Sequence, residues 1–195
     1  MRSEEISDLS RRLHTTQTQE NTFSRRKTYS KGIADLYQID LADVSSLSPF
    51  NDGMRHLLTC IDIFTKRARA VPVRTKSGRD VTEAFEEILN ERTCNMVQSD
   101  KGTEFLNSTF HGMLRRRGIH FYTSENEDLK ASVVERFNWT LKSKMYRYFT
   151  RANTRRYVDV LDDLLHLYNN TYHWSIGMVL AEVGSHNEDE VRVRL

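Results

Sequence analysis

Cysteine is nearly missing from this chain, with only Cys60 and Cys94 in 195 residues. They stand alone, with no Cys-X-X-Cys and no neighbouring Cys/His set. That pattern supports neither a disulfide framework nor a structural zinc site, and it leaves both thiols to core packing. Long apolar runs are missing too. Nothing approaches the roughly 18 consecutive apolar residues of a membrane-spanning helix, and the opening MRSEEISDLS is acidic and polar where a secretory signal would be basic and then apolar. There is no internal repeat and no low-complexity block. Net charge is small as well: 29 Lys and Arg against 27 Asp and Glu give +2, too little for whole-chain charge to argue for a nucleic-acid partner. Any such argument must come from how the charge is distributed.

What is present is the balance of a globular protein, 38% hydrophobic and 29% charged, with length for one domain and its core. Residues 1–34 are rich in Ser, Thr, Gln, Glu and Arg without a sustained hydrophobic period. They read as a polar N-terminal arm with a short helix near Ile6 to Leu13. From Leu36, alternation places Tyr37, Ile39 and Leu41 on one face of a strand and Gln38, Asp40 and Ala42 on the other. PFNDGMRH carries turn chemistry, and LLTCIDIF after it predicts a second strand paired as a hairpin. ARAVPVR predicts a third strand, which Pro72, lacking an N–H, sends to a sheet edge.

Helical spacing follows, with Val81, Ala84, Phe85, Ile88 and Leu89 in one stripe behind a Ser77 cap. CNMVQ predicts a buried strand ending at Asp100. A second helix is capped by Asn107 or Ser108 and stops near Gly118, GIHFYT forms a fifth strand, and two long helices span Leu129 to Thr150 and Asn153 to Tyr172. The order βββαβαβαα implies an α/β fold, a five-stranded mixed sheet flanked by helices on both faces. The domain runs over 35–184, with 185–195 as a C-terminal tail.

Three carboxylates occupy suggestive places: Asp40 inside the first strand, Asp100 just past the fourth, and Glu135 on a helix. Ligands of open α/β sheets bind beyond the carboxyl ends of strands, where Asp100 falls. A cluster of hard oxygen donors suits Mg²⁺ or Mn²⁺. Taken singly, each is ordinarily a solvated charge. Asp43, Asp62, Glu104 and Asp128 are further carboxylates nearby, of which Asp62 reads as structural at a turn. The acidic loop Glu125 to Asp128 reads as solvated.

Taken together, QIDLAD around Asp40, QSDKGTEF around Asp100 and ASVVERFNWTLK around Glu135 resemble the three acidic motifs of the integrase catalytic core of retroviruses and transposons. Thirty-four residues separate Asp100 from Glu135, close to the interval usual in that family, and YNNTYHWSIG at 168–177 is similar to its C-terminal segment. NDGMRHLLTCIDIFTK and RYFTRANTRRYVDVL look most like integrases of Maverick or Polinton DNA transposons. The resemblance spans about 36–183. It implies a ribonuclease H-like fold in which Asp40, Asp100 and Glu135 are both the catalytic residues and the ligands of two Mg²⁺ or Mn²⁺ ions. The activity implied is 3′-end processing and strand transfer of element DNA into target DNA. It also implies double-stranded DNA as partner, a homodimer or higher homo-oligomer, and a nuclear location.

From Arg136 to Val158 there are seven basic residues and no acidic one, interleaved with Phe137, Trp139, Tyr146, Tyr148, Phe149 and Tyr157. That mixture suits phosphate contact and stacking, although a solvated helix face with aromatics on its core side has the same composition. At 100° per residue, Lys142 lies two turns beyond Glu135 on the same face, with Trp139 between. Lys130, Arg136, Asn138, Trp139, Lys142 and Arg147 are the candidate nucleic-acid-binding residues. Arg115 to Arg117 has a plainer helix-dipole explanation.

The chain departs from the family at Trp139 and Trp174, where relatives often carry a basic residue. MVLAEV lacks the proline expected after Gly177, and no His/His/Cys/Cys module or C-terminal barrel accompanies the core. Two alternatives therefore stay open: a domesticated, transposon-derived DNA-binding or interaction protein without turnover, and a ribonuclease H-like nuclease. VVERFNWTLK and YNNTYH argue against the second.

Overall fold

A computed structural model of the chain describes residues 28–123 and 132–195. The short helix expected near residues 6–13, the acidic loop 125–128 and Lys130 lie outside the described residues. The first three strands, β1 (Leu36–Asp43), β2 (His56–Asp62) and β3 (Ala68–Val73), form an antiparallel meander. Helix α1 (Gly78–Glu91) leads to β4 (Met96–Ser99), and α2 (Ser108–Arg116) leads to β5 (His120–Thr123). Both β4 and β5 run parallel to β1, so the mixed sheet has the order β3-β2-β1-β4-β5. Pro72 lies in the edge strand β3, where its missing N–H costs no ladder bond.

Local chemistry sets the element ends. Ser77 Oγ accepts the N–H of Asp80, and Asn107 Oδ1 accepts that of Phe110, so each helix starts at a side-chain cap. Gly118, at φ +68°, ends α2 in the left-handed conformation that glycine adopts without strain. The connection from β1 to β2 is longer than a tight hairpin. A 3-10 turn at Ser45–Phe50 precedes Asp52 and Gly53, both at positive φ.

Alternation along β1 divides the interior in two. Tyr37, Ile39 and Leu41 face a core with α1 and α2, built around Phe85, Phe105 and Phe110. Leu36 and Ala42 face a second core with α3 (Ser132–Ala152) and α4 (Leu161–Asn169), built around Phe137, Leu141, Met145 and Tyr157. Cys60 and Cys94 are buried, unpaired, in the first of these. Asp40 points to the α3 side.

The last helical region differs from expectation. A single helix from Asn153 is not formed: Asn153 adopts φ +49°, and helix α4 starts only at Leu161. The cause is Asn51, fully buried, whose Oδ1 accepts the N–H groups of Tyr157 and Val158 while its Nδ2 donates to the carbonyls of Leu47 and Arg155. The backbone at 155–158 bonds to this amide and not to a helical ladder, yet Tyr157, Leu161, Leu164 and Leu165 of the expected stripe still reach the core.

Both ends of the domain also extend further than expected. Within the supposed arm, Ser30 is buried and Ala34 donates to Asp62 Oδ2 at 3.0 Å. Within the supposed tail, a short helix α5 (Glu188–Arg194) seats the fully buried Val191 against Phe64, Ile176, Leu180 and Val183. Between α4 and α5 lies a small hairpin, β6 (Tyr172–His173) with β7 (Met178–Val179).

Candidate metal and nucleic-acid site

The site is assembled by three elements. Parallel pairing of β1 with β4 matches Leu36 with Met96, Tyr37 with Val97 and Gln38 with Gln98. Carried two residues further on both chains, that register brings Asp40 level with Asp100, at the carboxyl end of β4. Helix α3 crosses the same face, and its first turn is fastened to the sheet by a buried side-chain bridge. Gln38 Oε1 accepts from the backbone N–H of Val133 and of Val134, each at 3.2 Å, while Gln38 Nε2 donates to Gln98 Oε1 at 2.9 Å. Two helix N–H groups without intrahelical partners are thereby satisfied, and Glu135 is held on the next residue.

Asp40 is half-buried and strongly constrained. Its Oδ1 accepts the N–H of Leu41 at 2.8 Å and its Oδ2 accepts from Asn138 Nδ2 at 2.6 Å, while its carbonyl accepts from Thr59 Oγ1 at 3.1 Å. Burial pushes the Asp40 carboxyl above its ordinary pKa, the Leu41 N–H pulls it down, and the negative charges of Asp100, Glu135 and Glu104 push it further up. These four carboxylates thus share one electrostatic field.

Among the described residues, no three Asp, Glu, His or Cys side chains converge closely enough to hold one ion. The donor chemistry nevertheless fits a hard divalent cation: carboxylates inside β1, just past the end of the adjacent β4 and on a facing helix, with a mutual repulsion that a cation relieves. Asp40, Asp100 and Glu135 are the residues that could hold it, with Glu104 beside them.

Asn138, expected from the sequence to bind nucleic acid, is instead turned inward: it is buried, its Nδ2 engages Asp40, and its Oδ1 has no hydrogen-bond partner. The other candidates on α3 lie outward, with Trp139 72% exposed, Arg136 and Arg147 exposed, and Lys142 partly so. Asp62 is a structural anchor, as expected. It accepts the N–H groups of Ala34, Phe64 and Thr65, and burial raises its pKa.

Sequence reading missed Gln38 and Gln98. The signal was there in part, since alternation puts Gln38 on the Asp40 face two residues away. Glu104 was noted among the nearby carboxylates, but its proximity to Asp40 depends on how the loop after β4 folds back.

A five-stranded mixed sheet with this order, flanked by helices and carrying acidic residues at β1, the end of β4 and α3, is the fold of the integrase catalytic core. The chain superimposes on the magnesium-bound catalytic core domain of HTLV-2 integrase, in both trimeric and dimeric forms, with a TM-score of 0.67 and 14% identity over 80% of this chain and 99% of that one. It superimposes likewise on a chain of the simian T-cell lymphotropic virus intasome in complex with PP2A regulatory subunit B56 gamma, with a TM-score of 0.69 and 15% identity over 76% of this chain and 53% of that one. In sequence it is 36% identical over 135 residues to a transposon-derived protein of Caenorhabditis elegans, covering 68% of this chain and 47% of the relative. The chain thus spans about half the length of the curated relative it matches. No family model matches it.

Proposed function

We propose that this chain is a polynucleotidyl transferase that trims a 3′ end of element DNA and joins it to target DNA. The observation that carries this reading is the carboxylate cluster on the integrase fold, in which Asp40 is constrained by Asn138 and Leu41 while Asp100, Glu135 and Glu104 all raise its pKa.

Divalent ions held by Asp40, Asp100 and Glu135 would stabilise the charge that develops on the attacking and leaving oxygens of an in-line displacement. The chain's own residues supply position. Thr59 and Leu41 fix the Asp40 backbone and carboxylate, Asn138 sets its second oxygen, and the Gln38 bridge sets the height of Glu135 over the sheet. In the first step a water oxygen attacks phosphorus, the bond to the 3′ oxygen breaks, and a 3′-hydroxyl is left. In the second that hydroxyl attacks a target phosphodiester, so one bond forms as one breaks and no external energy source is needed. Arg136, Trp139, Lys142 and Arg147 present the face on which DNA would lie, with Lys130 preceding the helix in sequence. Work on chromosomal DNA would require the protein to act in the nucleus. The dimeric and trimeric forms of the HTLV-2 core motivate a homo-oligomer, and the sequence runs NDGMRHLLTCIDIFTK and RYFTRANTRRYVDVL motivate a Maverick or Polinton origin.

A second reading, a transposon-derived DNA binder without turnover, is favoured by the carboxylates' failure to converge on one ion position among the described residues. Incubation of the chain with Mg²⁺ or Mn²⁺ and a labelled DNA carrying the parent element's end separates the two. Trimmed and joined products that disappear in Asp100→Asn and Glu135→Gln support the transferase. Folded protein that binds DNA and yields no product supports the binder.

A further inference from the structure

The outward face of α3 carries more than charge. Trp139 is 72% exposed, and among the described residues no aromatic ring lies against it. An indole that open to water contributes little to the core and leaves a large flat apolar surface unused. Trp139 lies one turn beyond Glu135, and Tyr146, 57% exposed, lies two turns further on the same face, with Lys142 between them. From Glu135 to Tyr146 the helix advances about 16 Å. Glu135 is the one acidic residue of α3 against five cations, Arg136, Lys142, Lys144, Arg147 and Arg151, and none of the five pairs with a carboxylate of a described residue. Past Tyr146 the stripe opens into a groove of about 800 Å³ against the 3-10 turn, where Arg155 lies 5.4 Å from the centroid of the Phe50 ring.

We propose that Trp139 and Tyr146 form a stacking track for unpaired nucleotides leading away from the carboxylates, so that α3 favours a DNA end with unpaired terminal bases over a fully paired one. The proposal rests on the reading of this face as DNA-binding. Inside a duplex the flat faces of the bases are hidden in the stack, and a blunt end exposes only the outer face of its last pair, so two rings spaced along a helix surface meet successive base faces only where pairing has been lost. Rings alternating with cations along a groove suit a single strand, with the cations on phosphates and the rings on bases irrespective of sequence. A lysine at position 139 would serve the phosphates of paired and unpaired DNA alike, whereas tryptophan discriminates between them.

The test uses the full chain carrying Trp174→Phe, which leaves Trp139 as the sole indole. Binding of two labelled duplexes, identical except that one has its last three base pairs mismatched, is followed by anisotropy, and Trp139 fluorescence is read in parallel. The expected result is tighter binding of the mismatched end, with quenching of Trp139. Trp139→Ala should lose about tenfold in affinity for that end and little for the paired one. Trp139→Phe should keep the preference, and Trp139→Lys should bind both ends alike with a steeper salt dependence. Binding without quenching, or equal losses on both DNAs in Trp139→Ala, would overturn the track while leaving a DNA-binding face intact. Failure to bind either DNA overturns both the track and the proposed function, whereas quenching with the stated preference supports the track even if no strand is ever cut.

Discussion

Replacing Gln38 with leucine should both loosen the fold and displace the candidate site, because one fully buried amide ties β1, β4 and α3 together. Leucine matches the size of glutamine but makes none of its three bonds. It strands the N–H groups of Val133 and Val134 in the first turn of α3 and leaves Gln98, itself buried, with an unpaired Oε1. The two bonds to the helix are long, so each is worth at most about 1 kcal/mol, while the orphaned carbonyl of Gln98 costs about 1–3 kcal/mol. The expected loss is about 3 kcal/mol, or a drop in melting temperature of roughly 6–12 °C for a domain of this size. Gln98→Leu alone should cost about 1–2 kcal/mol, since Gln38 retains its bonds to the helix. The double variant should cost at least about 1 kcal/mol less than the sum, because removing both partners leaves no orphan between them. Urea denaturation of the four proteins, followed by far-ultraviolet circular dichroism, measures each of these quantities. Strict additivity, or a loss below about 0.5 kcal/mol in Gln38→Leu, falls within the range of ordinary surface substitutions and would refute the bridge.

Asn51→Ala removes four hydrogen bonds, three of which join the 3-10 turn to residues 155–158 and one of which braces Leu47 within the turn, and should cost about 3 kcal/mol in chemical denaturation; a cost under about 1 kcal/mol would show that water replaces them. Asp62 has its pKa raised by burial, so its contribution to stability is fully present below the unfolded value near 3.9 and is lost as pH rises through the folded value. Wild type should therefore lose stability relative to Asp62→Asn as pH rises above about 4, and a relative gain contradicts the assigned direction. Val191→Ala should cost about 2 kcal/mol, because Val191 is fully buried in the terminal cluster; no change would mean that α5 does not support the domain. Burial pushes the Cys60 thiol far up and the Cys94 thiol to about 12, so neither should react with a thiol reagent at pH 8 until denaturant is added, and rapid labelling of the native protein would count against the packing described.

Much of the domain is legible in one dimension because its signals are local. The period of two at Tyr37, Ile39 and Leu41 follows from the pleat of a strand and assigns each residue to a face before any partner is known. Ser77, Asn107 and Gly118 mark helix ends through bonds and dihedrals confined to a few residues. Pro72 names an edge because its missing N–H is a property of the residue itself. The resemblance of three acidic motifs to one family likewise required only residue types and intervals.

What needed the tertiary structure depends on residues distant in sequence. Nothing near Asn153 announces that the helix expected from there begins only at Leu161, since the group that captures the intervening backbone is Asn51, about a hundred residues earlier. Asn138 has the same composition-level appearance as its outward neighbours on α3, and only the position of Asp40 across the interface draws its amide inward. The Gln38 bridge, the approach of Glu104 to Asp40 and the burial of Val191 are of the same kind. Sequence by itself determined the five strands of the sheet, the helices between them and the residue types available for chemistry, because those follow from short-range preferences of the backbone and side chains. The fold decided which of these residues meet, because a hydrogen bond or a shared electrostatic field depends on distances of a few ångströms that only packing brings about.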